Sequence, residues 1–224
     1  MKKNYTKEDA LIYLDDLYKE TNDDSLVDQE KRTKILELIE NGCKITNLSV
    51  ANLLSRLDFK PKDLTIEALE AFLAELRSIF WLRDNGFTKI VPHKAGKFVK
   101  SDFTANYKNK ECVIEVFCLT QAHEQQKDLL LEIYKNFDPQ YTGSKFGRDF
   151  ISKANNKRKQ LDSSNVKIKI LLCVINYRCV NALNSDKEMQ NHAKYLCNQL
   201  NWGDGYYVGL INKNGSGVIY PKIY

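Results

Sequence analysis

No apolar run in this chain exceeds six residues. The longest, ILLCVI at 170–175, is far too short to cross a bilayer. The opening MKKNYTKEDALIYLDD carries lysines with no apolar stretch behind them, so no signal peptide is expected. These absences predict a soluble cytoplasmic protein without a membrane partner. None of the six cysteines (Cys43, Cys112, Cys118, Cys173, Cys179 and Cys197) forms a CxxC pair, so zinc-cluster spacing is absent. Cys112, Cys118 and Cys173 lie in apolar strand-like runs, where a thiol behaves as a small hydrophobe. Reduced, buried thiols are expected rather than disulfides. There is no internal repeat and no low-complexity linker. The NKNGSG loop follows a strand without a GK[ST], which argues against a P-loop.

What is present is enough for a sizeable core. The 224 residues are 43% hydrophobic and 28% charged, an ordinary globular balance that suits one medium domain, or a domain with a helical extension. The net charge of +5 is unevenly spread. Residues 1–40 hold seven Lys/Arg against eleven Asp/Glu, and residues 145–169 hold eight against two. A basic stretch in one half points to an anionic partner such as nucleic acid; the alternative is a solvated helix face.

Residues 6–20 carry apolar residues at helical spacing, with Thr6 as N-cap and Asp9 three residues on. Residues 27–40 repeat the pattern, and ENG is expected to close that helix at Gly42. A short helix is expected over 47–57 and a connector at KPKDLT. Residues 1–62 therefore read as a helical N-terminal extension, and residues 63–224 as an α/β core. The strongest helix is 65–84, capped by Thr65, with Leu69, Phe72, Leu73, Leu76, Ile79 and Phe80 as its apolar stripe. Strands follow at TKIVPHK, at about 98–107 and at 111–119. Then come a basic helix over 147–162, an apolar strand over 166–176, a helix over 185–200 and a final strand, Gly-rich turn and strand. This order predicts a mixed central sheet flanked by helices.

Asp102 and Glu115 stand on the second and third strands. If those strands pair as a hairpin around NYKNK, the two acids meet at one end of the sheet. Val113, Glu115 and Phe117 share a face, while Cys112, Ile114, Val116 and Cys118 share the other. The latter face is expected to be core, and the acids to lie away from it. Two close carboxylates repel unless a cation joins them. Mg²⁺ is the natural hard partner, and a metal-bound water beside a phosphodiester is a hydrolytic device.

With these residues in place, 65–176 resembles the core of the PD-(D/E)XK nuclease superfamily, the restriction-endonuclease-like fold. The resemblance covers about half the chain and rests on element order as much as on short motifs. It implies a helix acid at Glu75 in LAELRSIFWLRDNGF, an Asp at Asp102 in KSDF with Ser101 in place of the usual Pro, and a third-strand acid at Glu115 in VIEVF. Glu75, Asp102 and Glu115 are the implied metal ligands, for Mg²⁺ or Mn²⁺. Phe117 stands where the family carries the Lys that orients the attacking water. Replacement amines are available at Lys100, on the strand face of Asp102, and at Lys153 and Lys157, one turn apart on the basic helix. Asp102, Glu115, Lys100 and Lys153 are the expected catalytic set. Lys153, Lys157, Arg158 and Lys159 are the expected phosphate contacts. Among the three histidines, His93 precedes the acidic strand and His123 follows the other; both are placed to line the cleft, although lone histidines are more often structural. Gln121 and Gln125 could also touch nucleic acid.

The resemblance implies a Mg²⁺-dependent endonuclease acting on nucleic acid, DNA in the first instance, of restriction or mobile-element type and compatible with a homodimer. The alternative is a nuclease-fold protein without catalysis that binds nucleic acid or a partner protein. A third reading, a structural protein with no nucleic-acid partner, requires the basic residues of 145–169 to be scattered. The first two are separated by whether a lysine amine reaches Asp102 and Glu115.

Overall fold

The computed structural model describes residues 4–21, 29–93, 101–119, 145–175, 185–212 and 215–224. Four helices come first: α1 (Lys7–Thr21), α2 (Gln29–Thr46), α3 (Val50–Arg56) and α4 (Ile66–Asp84). Strands β1 (Phe87–Pro92), β2 (Phe103–Tyr107) and β3 (Lys110–Leu119) follow. The chain continues through α5 (Lys145–Asp162), β4 (Ile168–Ile175), α6 (Asp186–Leu200), β5 (Tyr206–Ile211) and β6 (Gly217–Tyr220). The class is α/β, and among the described residues the strands form one sheet in the order β1-β2-β3-β4-β5-β6. β2 runs antiparallel to both β1 and β3; β3, β4 and β5 run parallel, and β6 returns antiparallel. No described helix is long and apolar enough to cross a membrane.

Local chemistry sets the helix starts. Thr6 and Asp9 cap α1 reciprocally: the Thr6 N–H donates to Asp9 Oδ2 at 2.6 Å, and the Asp9 N–H donates to Thr6 Oγ1 at 3.1 Å. Thr65 Oγ1 accepts the Ala68 N–H at the start of α4, and Ser185 Oγ accepts the Glu188 N–H at the start of α6.

Helix α2 does not stop at Gly42 as the ENG signal suggests; it runs on to Thr46. Gly42 serves packing instead. A Cβ there would stand 3.1 Å from Leu76 Cδ1 and 3.2 Å from Leu53 Cδ2, so the missing side chain lets α2 lie close to α3 and α4. The second strand also starts later than expected, at Phe103.

The hairpin between β2 and β3 turns on Lys108 and Asn109, both at positive φ (47° and 63°), with Tyr107 opposite Lys110. A two-residue loop with both residues left-handed matches the twist of the strands it joins.

Both faces of β3 are core, which corrects the expectation that one face is free. Cys112, Ile114, Val116 and Cys118 belong to a core shared with α1–α4. Val113, Phe117 and Leu119 belong to a second core with Phe150, Ala154 and Leu161 of α5 and Met189, Ala193 and Leu196 of α6. The reason is topological. The parallel connections lay helices over this face, and strands so covered read as near-continuous apolar runs. The residues read as a helical extension share the first core continuously with α4 and the sheet.

Candidate active site

The register of β2 on β3 pairs Phe103 with Ile114. One step outward, Asp102 stands opposite Glu115, on the α5 side of the sheet. The two residues lock each other. The Asp102 N–H donates to Glu115 Oε1 at 3.1 Å, and the Val116 N–H donates to Asp102 Oδ2 at 2.8 Å. The hairpin therefore fixes both carboxylates through backbone donors rather than through flexible side chains.

Helix α5 supplies the amine. Lys157 Nζ lies 3.2 Å from Asp102 Oδ2 and 2.9 Å from Glu115 Oε2. Both oxygens thus surround one nitrogen, well inside the ~8 Å separation beyond which one ion could not bridge two carboxylates. The contact to Glu115 Oε2 is a buried, charge-assisted ion pair.

Phe117 explains why the amine comes from a helix. Its ring packs edge-on against Phe150 of α5, with centroids 5.3 Å apart, and it is 7% exposed. A lysine at 117 would bury its ammonium in this contact. The aromatic instead fastens α5 to β3, and α5 carries Lys157 to the carboxylates.

Burial dominates the electrostatics. Glu115 is fully buried; desolvation, and then the Asp102 charge, push its carboxyl up to about 8, against the pull of Lys157. Burial alone would depress the Lys157 amine, but the Asp102 and Glu115 carboxylates outweigh it and hold the amine above the usual lysine range. Glu75, facing the same cluster from α4, is pushed well up by desolvation and then by Asp102. Its Oε2 accepts the Asp58 N–H at 2.7 Å, so the connector between α3 and α4 holds it.

The expected site residues thus separate. Asp102, Glu115 and Lys157 come together, with Glu75 in their field but anchored on Asp58. Lys153 lies elsewhere: its Nζ donates to Cys118 O at 2.8 Å. Arg158 lies over the rings of Trp202 and Tyr206 at 5.5 and 5.8 Å and pairs with Asp162 at 3.4 Å. Lys159 is exposed. Lys100, Gln121, His123 and Gln125 lie outside the described residues.

Among the described residues no three His, Cys, Asp or Glu side chains group as a ready metal cluster. The donor set nonetheless fits a hard cation. Mg²⁺ is commonly held by one or two carboxylates, with waters and substrate phosphate completing the shell, and the two carboxylates here already converge on one cation, the Lys157 ammonium. Asp102 and Glu115 would hold it.

No protein-family model matches the chain, no curated protein matches its sequence, and no solved structure matches its fold.

Proposed function

We propose that this protein is a Mg²⁺-dependent nuclease that hydrolyses phosphodiester bonds of DNA, built on a restriction-endonuclease-like core. The observation that carries this reading is the Lys157 amine set against two carboxylates on adjacent strands. It supplies from α5 the positive charge that Phe117 does not. Carboxylates with an amine beside them can hold a cation, orient a water and offset charge that builds on a phosphorane.

In this reading Asp102 and Glu115 are the ligands, with Mn²⁺ as an alternative ion. Bound there, a divalent ion would polarise the scissile phosphate and lower the pKa of a water. Lys157 orients that water and stabilises charge on the phosphate oxygens. Glu75 keeps a second-rank role, accepting a proton or a water from its place on Asp58. The hairpin hydrogen bonds hold both ligands in register before substrate arrives, so little reorganisation is needed.

A second reading is favoured by one observation. Lys157 already balances the buried carboxylates without an ion, as expected of a nuclease-fold protein that only binds nucleic acid or a partner. Cleavage of supercoiled plasmid and of single strands with Mg²⁺, Mn²⁺ or EDTA decides between them. The nuclease reading expects nicking with either ion, none in EDTA, and none from Asp102→Ala or Glu115→Ala. Wild-type protein that binds DNA but cleaves nothing would establish the second reading.

A further inference from the structure

The acidic pair continues into a third strand. The β1–β2 register pairs Pro92 with Phe103, and one step outward the His93 N–H donates to Asp102 O at 2.8 Å. His93, Asp102 and Glu115 therefore form one row across β1, β2 and β3, each opposite the next. Cross-strand neighbours share a face, and the His93 side chain agrees: its Nε2 lies 3.0 Å from Thr104 Oγ1. Thr104, two residues after Asp102, lies on that same face. The row thus runs from two acids to an imidazole–hydroxyl pair within about two strand spacings, roughly 10 Å.

The two ends differ in cover. Helices α5 and α6 pack over β3–β6. On the same face of β1, Thr88 is exposed and Val91, the cross-strand partner of Thr104, is 37% exposed. Among the described residues, the β1–β2 end is thus the open approach to the acids. A polyanion entering there meets the imidazole–hydroxyl pair first and the carboxylates second.

We infer that His93 and Thr104 form a phosphate-contacting pair that seats the nucleic-acid backbone beside Asp102 and Glu115. This rests on the nucleic-acid reading of that site and adds which side the strand enters from. Thr104 offers its hydroxyl to a phosphate oxygen, as Ser and Thr commonly do in backbone contacts. His93 fixes the rotamer of that hydroxyl through Nε2 and adds ring contact to the same group. No covalent step is assigned to either residue.

The test uses the full chain and a labelled double-stranded DNA oligonucleotide in Ca²⁺, where binding is read without cleavage. Thr104→Val and His93→Ala are each expected to weaken binding about tenfold or more. The double variant should lose little beyond either single one, because the pair acts as a unit. His93→Gln should recover most of the affinity, melting temperatures should stay near wild type, and Thr104→Val should leave the salt slope unchanged. If His93→Ala fails to fold, Thr104→Val and His93→Gln still read the pair. Wild-type affinity in every folded variant overturns the inference, and if those variants also cleave normally in Mg²⁺, the nuclease reading stands without it. Wild-type protein that binds but does not cleave removes the nuclease reading while binding still judges the pair. No binding to DNA or RNA removes both.

Discussion

Lys157 Nζ stands 2.9 Å from Glu115 Oε2, and the two side chains are 26% and 0% exposed. The Glu115 side chain is buried, so the amine is the cation that offsets its charge whenever it ionises. The same amine lies against Asp102, which makes one lysine the counter-ion for both strands. Helix position, strand register and site electrostatics thus converge on a single nitrogen.

Removing that nitrogen should separate stability from catalysis. Lys157→Met keeps the aliphatic stem but leaves Glu115 buried without a cation. Breaking a buried pair from one side costs roughly 3–5 kcal/mol, and protonation of Glu115 will recover part of this. Urea unfolding should show the loss, and cleavage should fall about a hundredfold or more. The double variant Lys157→Met/Glu115→Gln should regain stability without regaining cleavage. Lys157→Met cleaving at the wild-type rate would end the proposed role.

Glu115 also sets a pH dependence. Burial pushes its folded carboxyl up to about 8 from an ordinary value of about 4.5, so between those values the native state holds a proton that the unfolded state has released. Stability contributed by this group is therefore fully present below about 4.5 and falls as pH rises toward about 8. The change is on the order of a few kcal/mol at most. Added Mg²⁺ should flatten the slope by favouring the ionised form. Unfolding midpoints measured across this window, with and without Mg²⁺, check both statements; a midpoint that rises through the window in the absence of metal would contradict the assignment.

Much of this arrangement is legible in the residues, and the rest fails for identifiable reasons. Of the α4 stripe, Leu69, Phe72, Leu73, Leu76 and Ile79 are buried as its period implies, while Phe80 is only half-buried. The hairpin that sets Asp102 against Glu115 follows from strand alternation around a polar turn. Gly42 misleads because a glycine can mark a helix end or a close helix contact, and only the packing partner tells which. The buried face of Glu115 was hidden because one charged residue in a strand reads as solvent-facing. Lys157 carried a usable signal. Phe150, Ala154 and Leu161 are all fully buried, and Lys157 falls on the same stripe at i+7 from Phe150. A lysine on a core-facing stripe needs an acid to meet it; Lys153, one turn earlier, sits beside that stripe and reaches a carbonyl instead.

Glu75 tests whether the connector before α4 contributes to chemistry. Its carboxyl is pushed well up by burial and by Asp102, and it accepts the Asp58 N–H. Gln preserves that acceptor, so Glu75→Gln should unfold within about 1 kcal/mol of wild type. Cleavage should fall far less than with Asp102→Asn, since Asp102 is a direct ligand in the proposed site. Equal loss from both substitutions would instead make Glu75 a full ligand, drawn away from Asp58 when the ion binds.

Nucleic-acid affinity should depend steeply on salt, and the structure grades the contributions of three of the four basic residues expected to touch phosphate. Each phosphate neutralised adds a slope of about −0.9 in log affinity against log salt. Lys159 is exposed on α5, so Lys159→Ala should remove about one such unit. Arg158 already stacks on Trp202 and Tyr206 and pairs with Asp162; it must leave or share those partners to meet DNA, so Arg158→Ala should remove less. Lys157 is held by Asp102 and Glu115, and Lys157→Met should change cleavage more than slope. Fluorescence anisotropy across a salt series reads all three. A wild-type slope near zero, or equal slopes in all variants, would mean that α5 faces something other than a phosphate backbone.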